Sequence, residues 1–152
     1  MPSHHETRKL PYSAQQMFDL VADVESYPQF LPWTAAARIK SRRETPSGEE
    51  LKADLIISFK VFRERFGSRV VLDREDMRID TEYLEGPFRH MNSVWRFEDR
   101  EHGCEVIFDV DFEFRSRILG SAAGMFFNDA MQRIVRAFER RADALYGGAR
   151  EP

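Results

Sequence analysis

One stretch of this chain leaves little freedom in how it folds. From Cys104 to Phe114, the residues Cys104, Val106, Phe108, Val110, Phe112 and Phe114 share one parity, while Glu105, Asp109, Asp111 and Glu113 share the other. Ile107 is the exception. Side chains of a strand alternate between faces with period two, so this segment has an apolar face and a charged face, as in an antiparallel sheet covered on one side. The cover follows directly. Leu119, Ala123, Phe126, Ala130, Ile134, Phe138, Ala142 and Leu145 recur at spacings of three and four, which is the stripe of an amphipathic helix. A concave sheet clasping one long helix can leave a cavity between the layers, and such a cavity would hold an apolar ligand.

The helix should stop at Gly147-Gly148, residues suited to a C-terminal cap, and begin between Ile118 and Met125. Gly120 and Gly124 leave two readings open, since each costs about 1 kcal/mol relative to Ala inside a helix. Either Arg117 to Gly124 is a loop, or the glycines let the helix bend or approach another backbone closely. Upstream, Glu6 to Leu10 reads as a short strand closed by Pro11, with His4 and His5 at a frayed terminus. Ser13, with Gln16 three residues on, then opens a first helix through Met17, Phe18, Leu20, Val21 and Val24. Pro28 and Pro32 end it and make Tyr27 to Trp33 a rigid aromatic connector. Strands follow over Ala36 to Glu44, Leu51 to Phe59, Phe62 to Leu72, Met77 to Tyr83 and Met91 to Glu98, separated by turns such as Thr45-Pro46-Ser47-Gly48 and Gly86-Pro87-Phe88. Short connections, with long helices only near the ends, predict an α+β meander of six or seven strands rather than a parallel sheet.

A chain of 152 residues suits one domain over residues 1–152, with its core at about 6–146. A net charge of -3 argues against broad charge-driven nucleic-acid binding, and no DNA partner is expected. Arg63, Arg65 and Arg69, and Arg136, Arg140 and Arg141, read as solvated faces. The single Cys104 excludes an intramolecular disulfide and reads as a small apolar filler. No run reaches the roughly 18 apolar residues of a membrane span, and the N-terminus lacks a signal-peptide core, so a cytoplasmic protein, at most peripheral to the inner membrane, is expected.

Chemistry has little support. Asp109, Asp111 and Glu113 belong to the wet face by alternation. No His, Cys and carboxylate set has zinc spacing, and there is no phosphate loop, nucleophile elbow or H-E-x-x-H. A buried Asp54 or Asp129 is the residual candidate for an acid or base. No catalytic residue, metal ligand or required cofactor is therefore assigned. The many aromatic and Met side chains at strand and helix periods are ordinary core residues one by one, but together they favour a lined pocket.

Several blocks resemble one family. Phe18-Asp19-Leu20-Val21-Ala22-Asp23-Val24-Glu25-Ser26-Tyr27-Pro28 and Phe30-Leu31-Pro32-Trp33 are similar to the opening of the coenzyme Q-binding START-like proteins. That group also carries polyketide cyclase or dehydrase designations and includes the bacterial ribosome-association toxin. Ala53-Asp54-Leu55, Gly86-Pro87-Phe88, Trp95-Arg96-Phe97, Asp111-Phe112-Glu113-Phe114 and Ala137-Phe138-Glu139-Arg140-Arg141-Ala142 continue the likeness in order, over roughly Glu6 to Tyr146.

The resemblance implies a helix-grip fold, a curved antiparallel sheet around a long C-terminal helix with a lipophilic tunnel between them. It also implies non-enzymatic binding and delivery of ubiquinone or a related isoprenoid lipid, in support of respiration and quinone biosynthesis. A start close to the first strand suits a bacterial member. The tail is expected along Leu55, Ile57, Phe59, Val70, Leu72, Phe88, Phe97, Phe108, Val110 and Phe112 of the sheet, Phe126, Met131 and Val135 of the helix, and Leu31 of the connector. Trp33, Trp95 and Asp54 are candidates for the head group. The connector and Ile118 to Phe127 would form a lid making transient membrane contact, with Met125 to Asn128 tuning the entrance. Two alternatives stand beside this reading. One is a ribosome-associated module acting on large-subunit assembly through Arg133, Arg136, Arg140 and Arg141; the other is a polyketide-type aromatase or cyclase.

Overall fold

The computed structural model describes residues 3–59, 62–86, 88–114 and 117–147, without the side chains of Phe59, Phe62, Phe88, Phe114 and residues 117–128. Seven strands run β1 (Ser3–Leu10), β2 (Thr34–Thr45), β3 (Gly48–Phe59), β4 (Phe62–Asp73), β5 (Arg78–Glu85), β6 (Phe88–Arg100) and β7 (Gly103–Phe114). Helix α1 (Ala14–Ala22) and a 3-10 helix (Val24–Gln29) separate β1 from β2, and helix α2 (Arg117–Tyr146) closes the chain. All pairings are antiparallel, in the order β1-β7-β6-β5-β4-β3-β2. Only β1 pairs far from its sequence neighbours. Its whole length lies along β7, from Ser3 opposite Asp111 to Leu10 opposite Cys104.

Several strands run longer than the sequence reading, β3 starting at Gly48 and β6 at Phe88, and two differences at the ends of the chain have a clear cause. The first strand begins at Ser3 rather than Glu6, because β7 supplies a ladder that His4 and His5 continue. The last helix includes Gly120 and Gly124, so the loop reading of Arg117 to Gly124 is displaced.

Local chemistry accounts for the connections. The Ser13 hydroxyl accepts the Gln16 N–H and the Gln16 side chain accepts the Ser13 N–H, both at 3.0 Å, a reciprocal cap on α1. Trp33, the last connector residue, has φ of 63°, an uncommon conformation for a bulky side chain, and its carbonyl accepts the Ser58 N–H at 2.8 Å. Gly103, at φ 142°, opens β7 where a Cβ would lie 2.2 Å from the Leu10 carbonyl oxygen. The hairpin from β6 to β7 can press against the end of β1 only without that atom.

The register sorts the concave face into rows of directly opposed residues. One row runs Leu72, Ile79, Trp95, Phe108 and Glu6. Beside it run Leu51, Val70, Thr81, Ser93, Val110 and His4. The second half of α2 crosses this face. Phe138 is buried, with its ring centroid 5.1 Å from Trp95, 5.4 Å from Tyr27 and 5.3 Å from Phe30. Polar contacts fix the same half: Tyr12 donates to Asp143, the Tyr146 hydroxyl donates to the Gln16 carbonyl at 3.2 Å, and Arg141 reaches Gln29 at 3.0 Å.

Candidate functional site

The concave face divides into a filled half and an incompletely covered half. Near the end of α2, Leu72, Ile79, Trp95, Phe97, Val106 and Phe108 are buried together with Phe18, Met17, Phe138 and Ala142. Trp95 stacks parallel to Phe97 and lies 4.3 Å from the Phe108 centroid, so rings fill the space here. Toward the end of β3 and the start of β4, Leu55, Ile57, Phe66, Tyr83 and Met91 are only half-buried, although Leu55, Phe66, Tyr83 and Met91 pack against the core. Met131 of α2 and Leu31 and Trp33 of the connector have the same intermediate burial. Apolar side chains that face inward yet keep partial exposure mark the less covered end of this face.

The expected ligand-lining residues fall into three groups. Val70, Leu72, Trp95, Phe97, Phe108, Val110, Phe112 and Val135 are buried in the core, whereas Leu31, Trp33, Leu55, Ile57 and Met131 border the less covered half. Phe59, Phe88 and Phe126 lie outside the described side chains, as do Met125 to Asn128 and the proposed lid over Ile118 to Phe127.

Asp54 requires correction. It follows buried Ala53 and precedes inward Leu55, so period two sends it to the convex face, where Arg65 pairs with it at 3.0 Å. It cannot meet a head group inside. Asp129 is likewise no buried acid, being exposed and paired with Arg133 at 3.0 Å. Asp109, Asp111 and Glu113 do lie on the convex face, facing His5, His90 and Arg89 respectively.

The sequence reading missed a polar stripe. His4, Glu6 and Arg8 share the inward parity of Leu10, opposite Val110, Phe108 and Val106. The Glu6 carboxylate accepts from His4 Nε2 and from Arg8 Nε, each at 2.6 Å, and Arg8 reaches Glu139 of α2 at 3.3 Å. The His4 and Glu6 side chains are only 9% and 11% exposed. The signal was present, since three polar residues at alternating positions lead into Leu10, but only pairing with β7 shows that they face inward.

Other titratable groups serve packing. Burial, with a smaller push from Asp99, raises the Cys104 thiol to about 11, which disfavours the thiolate near neutral pH. Burial also raises the Tyr27 phenol above its usual range, with Asp23 adding to the shift, and its hydroxyl donates to the Val21 carbonyl at 2.5 Å. Among the described residues no group of three or more His, Cys, Asp or Glu could hold a metal, and no helix is long and apolar enough to cross a membrane.

A seven-stranded antiparallel sheet curved around one long C-terminal helix is the START-like, helix-grip architecture. Residues 10–139 match the family described as polyketide cyclase / dehydrase and lipid transport, and the chain belongs to that family. A ribosome association toxin RatA of Rickettsia prowazekii is 40% identical over 145 residues, covering 93% of this chain and 97% of the relative. A mitochondrial coenzyme Q-binding protein COQ10 homolog B of Xenopus laevis is 32% identical over 155 residues, covering 98% of this chain and 61% of the relative. A START superfamily protein from Mycobacterium smegmatis superimposes with a TM-score of 0.80 at 19% identity, covering 94% and 98% of the two chains, a likeness of fold alone.

Proposed function

We propose that this protein binds an isoprenoid lipid of the quinone class between sheet and helix, and carries it without chemical change. The observation that carries the reading is the half-covered concave end bordered by Leu55, Ile57, Phe66, Met91 and Met131. Covering apolar surface yields about 25 cal/mol per Å², less the cost of ordering the tail, so an isoprenoid chain gains by entering such a space. The coenzyme Q-binding relative points to the same ligand class. Binding is favoured over turnover because His4, Glu6 and Arg8 are tied to one another and to Glu139 rather than left as a poised acid and base. On this reading the protein works in the cytoplasm and touches the inner membrane transiently through the connector Tyr27 to Trp33. Organic extraction of the purified protein followed by mass spectrometry should recover a prenylated quinone. Recovery of no lipid, together with no uptake of added ubiquinone from vesicles, would remove the proposal.

A second reading rests on the RatA relative and on two residues of α2. Arg136 and Arg140 are exposed and make no ion pair among the described residues, whereas Arg133 is neutralised by Asp129 and Arg141 is held by Gln29 and lies 5.2 Å over the Phe30 ring. The basic stripe expected from four arginines is thus reduced to two. If this surface docks on ribosomal RNA, co-sedimentation with large subunits should weaken with salt and fall in Arg136→Glu/Arg140→Glu.

A further inference from the structure

Besides buried Ser68 and the polar residues of β1, the concave face carries two facing hydroxyls within one row. Thr81 of β5 and Ser93 of β6 are directly opposed, share the inward parity of Ile79 and Trp95, and are half-buried. Neither hydroxyl makes a hydrogen bond among the described residues. Beyond Ser93 the row continues through Val110 to His4, the end of the chain His4, Glu6, Arg8 and Glu139 that ties β1 to α2. An inward hydroxyl without a partner is costly unless water or a ligand completes it. Two such hydroxyls abreast, bounded on one side by the ring-filled half and on the other by the less covered half, form a polar band at the border between the two.

We propose that this band, Thr81 and Ser93 with the His4 imidazole at its end, seats the oxygen-bearing head of the ligand, while the apolar tail extends toward Leu55 and Met91. The ligand class is a lipid whose ring or head carries carbonyl or hydroxyl oxygens, for which hydroxyls both donate and accept. Glu6, Arg8 and Glu139 are positioning residues that hold the imidazole and fix β1 against α2. This inference rests on the lipid-binding reading and adds to it which end of the ligand enters first and what recognises it.

Calorimetric titration with decylubiquinone and with decylbenzene, which has a matching tail and no oxygens, tests the two ideas separately. Wild type should prefer decylubiquinone. Thr81→Val/Ser93→Ala should weaken decylubiquinone about tenfold, or ~1.4 kcal/mol, while changing decylbenzene affinity by less than about twofold. His4→Phe should reduce the same preference by a smaller factor. The two hydroxyl substitutions are also made singly, with thermal melts confirming the fold. If wild type binds neither compound, the lipid reading itself fails. If it binds both equally, or if the hydroxyl variants keep the full preference for decylubiquinone, lipid binding survives and the head seat is overturned. Equal loss of both compounds in the variants also overturns it, since the hydroxyls would then only support the wall.

Discussion

The two faces of the sheet are built from the same strands and differ in almost everything else. On the concave side Leu51, Leu72, Ile79 and Cys104 are fully buried. On the convex side Arg65 spans Asp54 and Glu85, both at 3.0 Å, and Arg69 spans Glu50 at 2.9 Å and Glu82 at 3.1 Å. The concave contacts remove apolar area from water and depend on shape, so each atom counts. The convex contacts are ion pairs across neighbouring strands in solvent, where Coulomb attraction is weak and screened. One face therefore holds the fold together, and the other meets solvent through charges that contribute little to stability.

That contrast is tested most severely at Phe138, the ring that joins α2 to Trp95, Tyr27 and Phe30. Phe138→Ala should cost about 3–5 kcal/mol, read as a lower urea midpoint, because the rigid rings around it cannot collapse into the gap. A loss under about 1 kcal/mol would mean that this half is loosely packed, and the division into filled and open halves would fail.

Cys104 sharpens the comparison through pH. Its thiol is raised to about 11 by burial, so the folded state favours the neutral form. Above the ordinary thiol value of 9.0 the unfolded chain ionises first and unfolding becomes easier. This contribution is complete below about pH 9 and is lost as pH rises through the folded value. The stability difference between wild type and Cys104→Ala should therefore shrink from pH 8 to 11, and the native thiol should resist alkylation at pH 8. A constant difference would contradict the burial argument.

At the start of α1, Ser13→Ala removes one half of the reciprocal cap and should cost about 1 kcal/mol in chemical denaturation. Ser13→Asp, which can still accept the Gln16 N–H, should recover most of it. Failure of that rescue would show that α1 is held by its buried face alone.

What the sequence disclosed follows the same division. The alternation of Cys104 to Phe114 placed β7, its two faces and the sheet class, because burying one face of a strand forces period two into the residues. The capping pattern at Ser13 located α1 for an equally local reason. Period two also placed Asp54 outside, since Ala53 and Leu55 flank it, so its choice as a head-group residue overlooked information that was present. By contrast, β1 read as frayed at His4 and His5 because its inward residues are polar and its partner lies about a hundred positions away. Partner positions also explain Arg141, which looked like part of a basic stripe until Gln29 and Phe30 came to lie beside it. Thr81 and Ser93 were invisible as a pair, because the register of the hairpin between β5 and β6 has to be known before they stand opposite each other.

The smallest expected effect belongs to Arg65, whose side chain is 45% exposed between two carboxylates on the convex face. Its guanidinium is raised and the Glu85 carboxylate lowered chiefly by the hydrogen bond between them, which shows that the charges interact, but water surrounds the arrangement and competes with it. Arg65→Gln should leave the thermal midpoint unchanged within error at moderate salt, and high salt should remove any residual difference. The risk to this prediction is Asp54, only 17% exposed, which the substitution deprives of its cation. If stability drops and Asp54→Asn restores it, this part of the convex face is a buried charge network rather than a solvated one, and the contrast between the faces must be narrowed to the remaining strands. If the midpoint holds, the ion pairs can be rearranged without touching the concave face, and substitutions there can be read as effects on the ligand space.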